Sequence, residues 1–291
     1  MAGVAMVAHR ERGEAGRLVV QTHRWLLDHG HDAWLHLDDA RALLPADVAA
    51  VIGSERPLSE ADLVISLGGD GTMLRAVQLV GDGDVPLLGV NLGWLGYLTE
   101  VEAGDLEDAL GRYLAGSASG AWSLDERMML DVEARSPSGD VLGNWTVLNE
   151  AVVEKRSSGN TVRLAVHIDG SPFTSYATDG LIVSTPTGST AYSLSARGPV
   201  VSPKHRAMLL TPVAPHMLFD RSLVLDPTEV VEIVVVGHRS ASLVTDGQTV
   251  TDLHDGARVV CRPSARTARF VRFGEHRYHQ ILKAKFGLLD R

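Results

Sequence analysis

Leu63-Val64-Ile65-Ser66-Leu67-Gly68-Gly69-Asp70-Gly71-Thr72-Met73-Leu74 reads as a buried strand that runs through a glycine turn into a helix. Residues 63–67 form a near-continuous apolar run, the mark of a strand covered on both faces. Met73, Leu74, Val77 and Val80 then follow at helical spacing. Upstream, Gly3 to Ala8 reads as a strand, and Ala15, Leu18, Val19, Thr22, Leu26 and His29 fall on one helical face before Gly30, a helix stop. Asp32 to Leu37 and Val85 to Val90 add strands, and Leu106, Leu110 and Leu114 add a helix. Strands alternating with helices predict an α/β unit with a largely parallel sheet.

Ser, Ala and Gly accumulate without periodicity from Gly116 to Gly120, which marks a boundary. Beyond it the period becomes two. Leu130, Val132 and Ala134 alternate with polar residues, Ser136 to Asp140 supplies a turn, and Val162, Leu164, Val166 and Ile168 repeat the pattern. Val230 to Val236, Arg258 to Cys261 and Ala268 to Phe273 are further strands. This half is mostly β, until Tyr278, Ile281, Leu282, Phe286 and Leu289 restore a helical stripe at the C-terminus.

The chain has 291 residues, 45% hydrophobic and 22% charged, which describes a globular protein and excludes disorder or a coiled coil. Its 27 Lys+Arg against 36 Asp+Glu leave a formal charge of -9, which disfavours a nonspecific grip on nucleic acid. Any polyanionic ligand is then expected to be held locally. One cysteine, Cys261, allows no internal disulfide and no thiolate zinc cluster, and it reads as a small core residue. No uncharged apolar run approaches the length of a membrane helix, and His9-Arg10-Glu11-Arg12 is no signal peptide, so a cytoplasmic protein with no membrane partner is expected.

In the glycine turn, Gly68, Gly69 and Gly71 permit close approach of the backbone, and amides at the helix N-terminus bind an anion without any basic side chain. Asp70 is out of place beside phosphate unless it binds a bridging Mg²⁺ or removes a proton from an attacking hydroxyl. The plainer alternative is an ordinary turn whose Asp70 and Thr72 cap the helix. Thr178-Asp179-Gly180, a strand Leu181 to Ser184, and Thr185-Pro186-Thr187-Gly188-Ser189-Thr190-Ala191-Tyr192-Ser193 offer many short donors and acceptors and one aromatic face on which a purine could stack. A polar turn followed by a capped helix is the competing reading. Ser189 has no G-x-S-x-G elbow around it and is no hydrolase nucleophile. Asn149-Glu150 could grip a ribose diol or simply end an exposed strand, and Asp246-Gly247-Gln248 reads as a hairpin turn. His276 and His279 are helix-spaced but have no partner for a metal, and no side-chain metal cluster is expected. The chain carries neither a P-loop nor a G-x-G-x-x-G fingerprint.

Taken in order, Gly68 to Thr72, Asn91-Leu92-Gly93 with Gly96-Tyr97-Leu98-Thr99, Leu148-Asn149-Glu150, and Thr178 to Ser195 with Gly198-Pro199 resemble the NAD kinase family. Pro212 to Leu218, Asp246 to Gln248 and Leu282 to Leu288 continue the resemblance over nearly the whole chain. It implies an α/β phosphate-donor-binding domain at 1–118, a β-rich NAD-binding domain of packed sheets at 119–273, a C-terminal helix at 274–291 packing back on the first domain, and an active site in the cleft between domains. It also implies the reaction: ATP or polyphosphate, with a divalent cation such as Mg²⁺, phosphorylates the 2′-hydroxyl of the adenosine ribose of NAD to give NADP. On matching positions Asp70 accepts the hydroxyl proton, and Gly68, Gly69, Gly71 and Thr72 hold donor phosphates. Asn149 and Glu150 bind the NAD ribose. Asp179, Thr187, Thr190, Ala191, Tyr192, Ser193 and Ser195 line the dinucleotide site, with Gln248 touching it from the later turn. The family is homo-oligomeric, which implies a homodimer or homotetramer.

Three features depart from the pattern. Trp94 stands where the family varies. The stretch Arg156 to Asn160 lacks an obvious match to the family's ligand-contacting basic residue, and Ala177 stands where some members carry Arg; Asn160 and Ala177 are carried as NAD-binding positions, and the preference for NAD over NADH stays open. Arg75, one turn into the helix, is in reach of phosphate, with a solvated helix face as the other reading. Two rivals share parts of the pattern: a diacylglycerol- or sphingosine-type lipid kinase, which would need an acyl channel or membrane-facing patch, and a non-catalytic NAD-binding regulator, which would gain nothing from Asp70.

Overall fold

The computed structural model describes residues 1–93, 96–116, 120–157, 159–274 and 278–288. The positions of Trp94, His276 and Leu289, and 117–119 of the glycine-rich stretch, lie outside them. The chain divides into two compact units, Met1–Glu126 with Ala268–Arg291, and Arg127–Thr267.

The first unit begins with β1 (Gly3–Ala8), α1 (Gly13–Asp28), β2 (Asp32–His36), α2 (Leu37–Leu43), α3 (Ala46–Ile52) and β3 (Gly53–Ser54). It continues with β4 (Leu63–Gly68), α4 (Asp70–Val80), β5 (Leu87–Asn91), β6 (Val101–Glu102) and α5 (Leu106–Leu114). Strands β5, β4, β1, β2 and β3 lie side by side in that order, and all are parallel. Every residue of β4 is buried, as its unbroken apolar run predicts for a parallel strand covered on both faces. Helix α1 buries Ala15, Leu18, Val19, Thr22 and Leu26, the stripe read from the sequence, and ends at Gly30 with a φ of 78°. Helices α2 and α3 escape a reading by periodicity because seven residues span barely two turns.

The second unit is built from β7 (Ser123–Arg135), β8 (Val141–Val147), β9 (Glu150–Lys155), β10 (Val162–Ile168), β11 (Ser171–Thr178) and β12 (Gly180–Ser184), with the four-residue turn α6 (Tyr192–Ser195) after it. Then come β13 (Met208–Val213), β14 (Leu223–Leu225), β15 (Val231–Val235), β16 (Ala241–Thr245), β17 (Gln248–Leu253) and β18 (Arg258–Arg272). One antiparallel sheet has the order β14-β13-β12-β9-β16-β17. In the other, β11, β10, β15 and the start of β18 are antiparallel neighbours. A single apolar core takes residues from both sheets, among them Val153, Leu164, Tyr176, Leu181, Leu210, Ile233, Leu243 and Cys261. Helix α7 (Tyr278–Lys285) belongs to the first unit, where Tyr278 meets Tyr97 at a ring distance of 6.2 Å.

The units divide inside β7 and β18, not at the loop-like stretch 116–120 or at residue 273. Composition marks loops, but a strand can carry the chain from one unit into the next without any change of residue type. For the same reason the two strands expected at 258–261 and 268–273 are one. Its first residues pair with β15 in the second unit and its Phe270 pairs with Leu87 of β5 in the first.

Tyr176 is fully buried in the core of the second unit, and its hydroxyl has no hydrogen-bond partner among the described residues. An unsatisfied buried hydroxyl costs about 1 kcal/mol or more. Tyr176→Phe is therefore expected to stabilise the protein by about 1 kcal/mol, read as a rise in the urea midpoint at unchanged slope. A lower midpoint would mean that the hydroxyl is satisfied.

Candidate active site

In the first unit the site grows from the end of β4. Helix α4 starts at Asp70 with no side chain capping its N-terminus, so Thr72 and Asp70 are not the caps that the plainer reading supposed. Thr72 is buried, and a β-carbon on Gly68 would lie 2.2 Å from its hydroxyl, so Gly68 is a packing glycine. Gly69 and Gly71 differ: a β-carbon on either would meet nothing within 4 Å. The fold does not require them to be glycine.

The carboxylate of Asp70 turns to the segment after β5. Its Oδ2 accepts the amide of Tyr97 and its Oδ1 that of Leu98, both at 2.9 Å. Gly96 lies so close that a β-carbon there would stand 2.3 Å from Oδ1. The carbonyl of Leu98 in turn accepts from buried Arg272 at 3.2 Å, and Arg272 is neutralised by Glu100 at 3.0 Å and Asp125 at 3.3 Å. Asp70 is thus held at a fixed place, with further lone pairs on both oxygens.

Beside this turn is a cavity of about 420 Å³ lined by His9, Arg10, Glu11 and Arg12, which follow β1, and by Gly69, Gly71, Thr72 and Arg75. Three guanidinium groups border the glycine turn. The net charge of -9 describes the whole surface, whereas β1 and β4 are neighbours and bring residues 10 and 12, absent from the sequence reading of this turn, to residue 71. Arg75 lines this cavity and is no solvated helix residue, because its guanidinium is paired with the carboxylate of Asp39 at 2.5 Å.

In the second unit the hairpin of β16 and β17 turns at Asp246 and Gly247, with φ of 44° and 81°. Positive φ at both central residues is the type I′ turn that suits a hairpin. The Asp246 carboxylate accepts three amides from the turn into β9: Leu148 at 2.9 Å, Asn149 at 2.8 Å and Glu150 at 3.1 Å. It is a positioning group that sequence reasoning took for a turn former only. The 185–190 segment closes on the same turn. Thr185 donates its amide to the Asn149 carbonyl at 2.9 Å and its hydroxyl to the Leu148 carbonyl at 2.6 Å. A β-carbon on Gly188 would stand 2.2 Å from the Asn149 carbonyl oxygen.

Glu150 is buried, and its Oε2 has no partner among the described residues. Burial, reinforced by the charge of Asp246 and opposed by the Tyr192 amide, pushes its carboxyl up to about 8. At neutral pH it is a carboxylic acid, able to donate as well as accept. Tyr192 is 39% exposed, and burial together with the charges of Glu154 and Asp179 raises its hydroxyl. Asp179 pairs with Lys155 at 2.7 Å. Asn149, Glu150, Thr187, Tyr192 and Asp179 therefore share one neighbourhood; Thr190 and Ala191 lie on the backbone between Thr187 and Tyr192, and Ser195 is exposed one turn on. Gln248 is exposed just beyond the Asp246 turn. Thr187 receives a hydrogen bond from buried Arg127 at 3.4 Å, another contact missed in the sequence.

Ser193, Ala177 and Asn160 complete the expected ligand residues. Ser193 is buried, its hydroxyl 3.1 Å from that of Thr211, so it supports α6 from behind and does not line a binding surface. Ala177 lies on β11, where its carbonyl accepts the His216 amide at 2.7 Å. Asn160 lines a different cavity, of about 350 Å³, with Lys155, His238 and Arg239. The buried Ser189 hydroxyl lies 2.7 Å from the Pro186 carbonyl as donor and accepts the Val201 amide at 3.0 Å. Cys261 is fully buried, its thiol pushed up to about 12 by burial. Among the described residues no three His, Cys, Asp or Glu side chains cluster as a metal site, and no helix is long and apolar enough to cross a membrane.

Comparison with known proteins bears directly on this arrangement. Residues 53–118 match the ATP-NAD kinase N-terminal domain and residues 148–273 the ATP-NAD kinase C-terminal domain. The NAD kinase of Acidobacterium capsulatum is 37% identical over 286 residues, covering 98% of both chains. That of Leifsonia xyli subsp. xyli is 40% identical over 291 residues, covering 98% of this chain and 94% of its own. In fold, the chain is similar to yeast NADH kinase complexed with NADH, at 23% identity and a TM-score of 0.85 over 100% of this chain and 89% of that one. It is also similar to an NAD kinase from Archaeoglobus fulgidus in complex with ATP, at 24% identity and a TM-score of 0.73 over 99% of this chain and 100% of that one. On the strength of both domain matches and near full-length identity to these relatives, the chain belongs to the NAD kinase family.

Proposed function

We propose that the chain transfers a phosphoryl group from ATP or polyphosphate to the 2′-hydroxyl of the adenosine ribose of NAD, giving NADP. The observation that carries this reading is Asp70 on a turn whose Gly69 and Gly71 leave open space, beside a cavity of about 420 Å³ bordered by Arg10, Arg12 and Arg75. The relatives give no support to a lipid kinase or a non-catalytic binder.

Phosphoryl transfer asks for alignment and charge neutralisation more than for reactive side chains. The Gly69 and Gly71 backbone and the neighbouring guanidiniums hold the donor phosphates. Asn149 and Glu150 hold the ribose, with Asp179, Thr187, Thr190, Ala191, Tyr192, Ser195 and Gln248 along the dinucleotide. The ribose oxygen forms its bond to the terminal phosphorus as the bond to the bridging oxygen breaks, and the hydroxyl proton passes to Asp70. A carboxylate is a weak base for a ribose hydroxyl, so this proton moves late, as the new O–P bond develops.

The residues present fit a divalent cation carried in on the donor, since Mg²⁺ commonly takes one carboxylate together with substrate phosphates, and Asp70 offers that carboxylate. Bound there, the ion would neutralise charge on the phosphoryl oxygens. A homodimer or homotetramer agrees with the exposed apolar side chains of Phe173, Leu218 and Phe219 in the second unit. A cytoplasmic setting agrees with a single unpaired cysteine.

Incubation with ATP, Mg²⁺ and NAD, followed by an NADP-specific coupled assay, is expected to show product; tight NAD binding without product would instead favour a regulator. Asp70→Asn is expected to lower kcat by about 10²-fold or more. It also turns an amide NH₂ toward the Tyr97 or Leu98 N–H, so its melting temperature should fall as well; near-normal kcat would remove Asp70 from the chemistry.

Glu150 gives a pH signature in the free protein. Its folded value of about 8 lies above the usual 4.5, so the folded state binds the proton more tightly than the unfolded one. The stabilising contribution is complete below 4.5 and is lost as pH rises toward 8. Across that window the melting temperature of wild type should fall relative to Glu150→Gln. A constant difference between the two would show that Glu150 is ionised throughout.

A further inference from the structure

Behind the arginine-bordered cavity lies a carboxylate that the chemistry above does not use. Asp39, in α2, is fully buried. It accepts the Ala8 amide at 2.9 Å, Arg10 Nε at 2.8 Å, Arg75 Nη1 at 2.5 Å and Arg75 Nη2 at 2.7 Å. His36 Nδ1 stands 4.0 Å away. Burial works against the charged form, but the hydrogen bonds from Arg75, Ala8 and Arg10 outweigh it and hold the carboxyl below its usual range. Arg75 Nη2 also donates to the Ala8 carbonyl at 2.6 Å, so that guanidinium is fixed in plane and direction.

One arginine would suffice to neutralise one buried carboxylate. Here two share it, and both line the cavity beside Gly69 and Gly71. Arg10 also meets the carboxylate of Asp38 at 3.5 Å and Glu11 lines the same cavity, so what the pair brings to the cavity side is oriented guanidinium N–H groups, not net charge. Arg10 is the more open of the two, its side chain 45% exposed against 22% for Arg75. Among the described residues Arg10 Nη1 and Arg75 Nε have no partner, and Arg10 Nη2 reaches only Asp38, at 3.5 Å. A tie meant only to join α2 to β1 and α4 has no need of the exposed second cation.

We infer that Asp39 is a positioning residue for the phosphoryl donor: it holds Arg10 and Arg75 at the glycine turn with unused N–H groups available to the donor's phosphates. This rests on the reading that the donor occupies that cavity. Asp39 itself touches no substrate. Its contribution is to fix two flexible side chains before the donor arrives, which lowers the ordering cost of binding. Because NAD is assigned to residues of the second unit, the effect should fall on the donor alone.

The test uses the full chain, with KM measured separately for ATP and NAD, and with inorganic tripolyphosphate binding followed by calorimetry. Asp39→Asn should raise the ATP KM about tenfold and weaken tripolyphosphate comparably, as loss of charge-assisted contacts does, while the NAD KM stays within about twofold. Arg10→Ala removes an exposed side chain and threatens the fold least; it should raise the ATP KM several-fold, and it decides the matter if Asp39→Asn does not fold. Should a folded Asp39→Asn or Arg10→Ala leave the ATP KM unchanged, or shift both KM values equally, the positioning role is overturned. Gly71→Ala separates this from failure of the donor-site reading, because the fold has room for the β-carbon whereas a donor laid against that backbone does not; it is read together with Gly71→Leu, whose larger side chain reaches further into the cavity. An ATP KM unmoved in both Gly71 variants would place the donor elsewhere and overturn both readings; one raised there but unmoved in the other two variants would overturn Asp39 alone.

Discussion

In each unit an aspartate carboxylate accepts main-chain amides from a segment distant in the chain. Asp70 does this to Tyr97 and Leu98, and Asp246 to Leu148, Asn149 and Glu150. A hydrogen bond to a charged acceptor contributes about 1.5–3 kcal/mol, more than a neutral one, and it fixes the peptide plane that donates. The residues beside those planes are the ones assigned to ligand. The backbone of Asn149 and Glu150 is ordered by the hairpin turn itself, without any ligand. In the first unit both peptides flanking the Leu98 α-carbon are held, the N–H of one by Asp70 and the carbonyl of the next by Arg272.

The same device has an electrostatic consequence at its neighbours. Asp246 brings a negative charge to a turn that also buries Glu150, and burial and repulsion together keep that carboxyl protonated up to about 8. Asp39 is buried more completely, yet its carboxyl is held below the usual range because two guanidiniums face it. Burial by itself favours the protonated form in both; at Glu150 the neighbouring acid adds to it, whereas at Asp39 the facing guanidiniums overturn it. One carboxyl becomes a neutral donor and acceptor suited to a sugar diol, and the other a permanent anion that orders cations.

Much of this was legible along the chain. The apolar run of β4, the glycine turn and the stripe of α4 follow from periodicity, and the Asp246-Gly247 hairpin from turn chemistry. What local patterns do not carry is the target of a side chain. That Asp246 would clamp the 148–150 turn depends on β16 pairing with β9, a contact between segments nearly a hundred residues apart. Arg10 and Arg12 read only as charged residues near the N-terminus until β1 pairs with β4 and sets them beside Gly71. Ser193 fails in the opposite sense: its motif resembles ligand-lining residues, but α6 is a single short turn and directs that hydroxyl to Thr211.

The glycines separate what the fold demands from what a ligand demands. Gly68, Gly96 and Gly188 are each excluded from carrying a side chain by an atom of the protein, at 2.2 to 2.3 Å from where a β-carbon would stand. Gly69 and Gly71 are excluded by nothing within 4 Å. Gly71 is the second residue of α4, in the first turn, where glycine has a greater backbone entropy to lose on folding than a residue with a β-carbon. No fold contact offsets that cost. The space kept free there opens on a cavity bordered by three guanidiniums in a chain whose formal charge is -9. Beyond a Debye length of about 10 Å the acidic remainder of the surface is largely screened, so an arriving anion meets the arginines and the unfilled backbone first. Open backbone and arginine side chains thus meet at one place, the combination that the proposed donor-phosphate site requires.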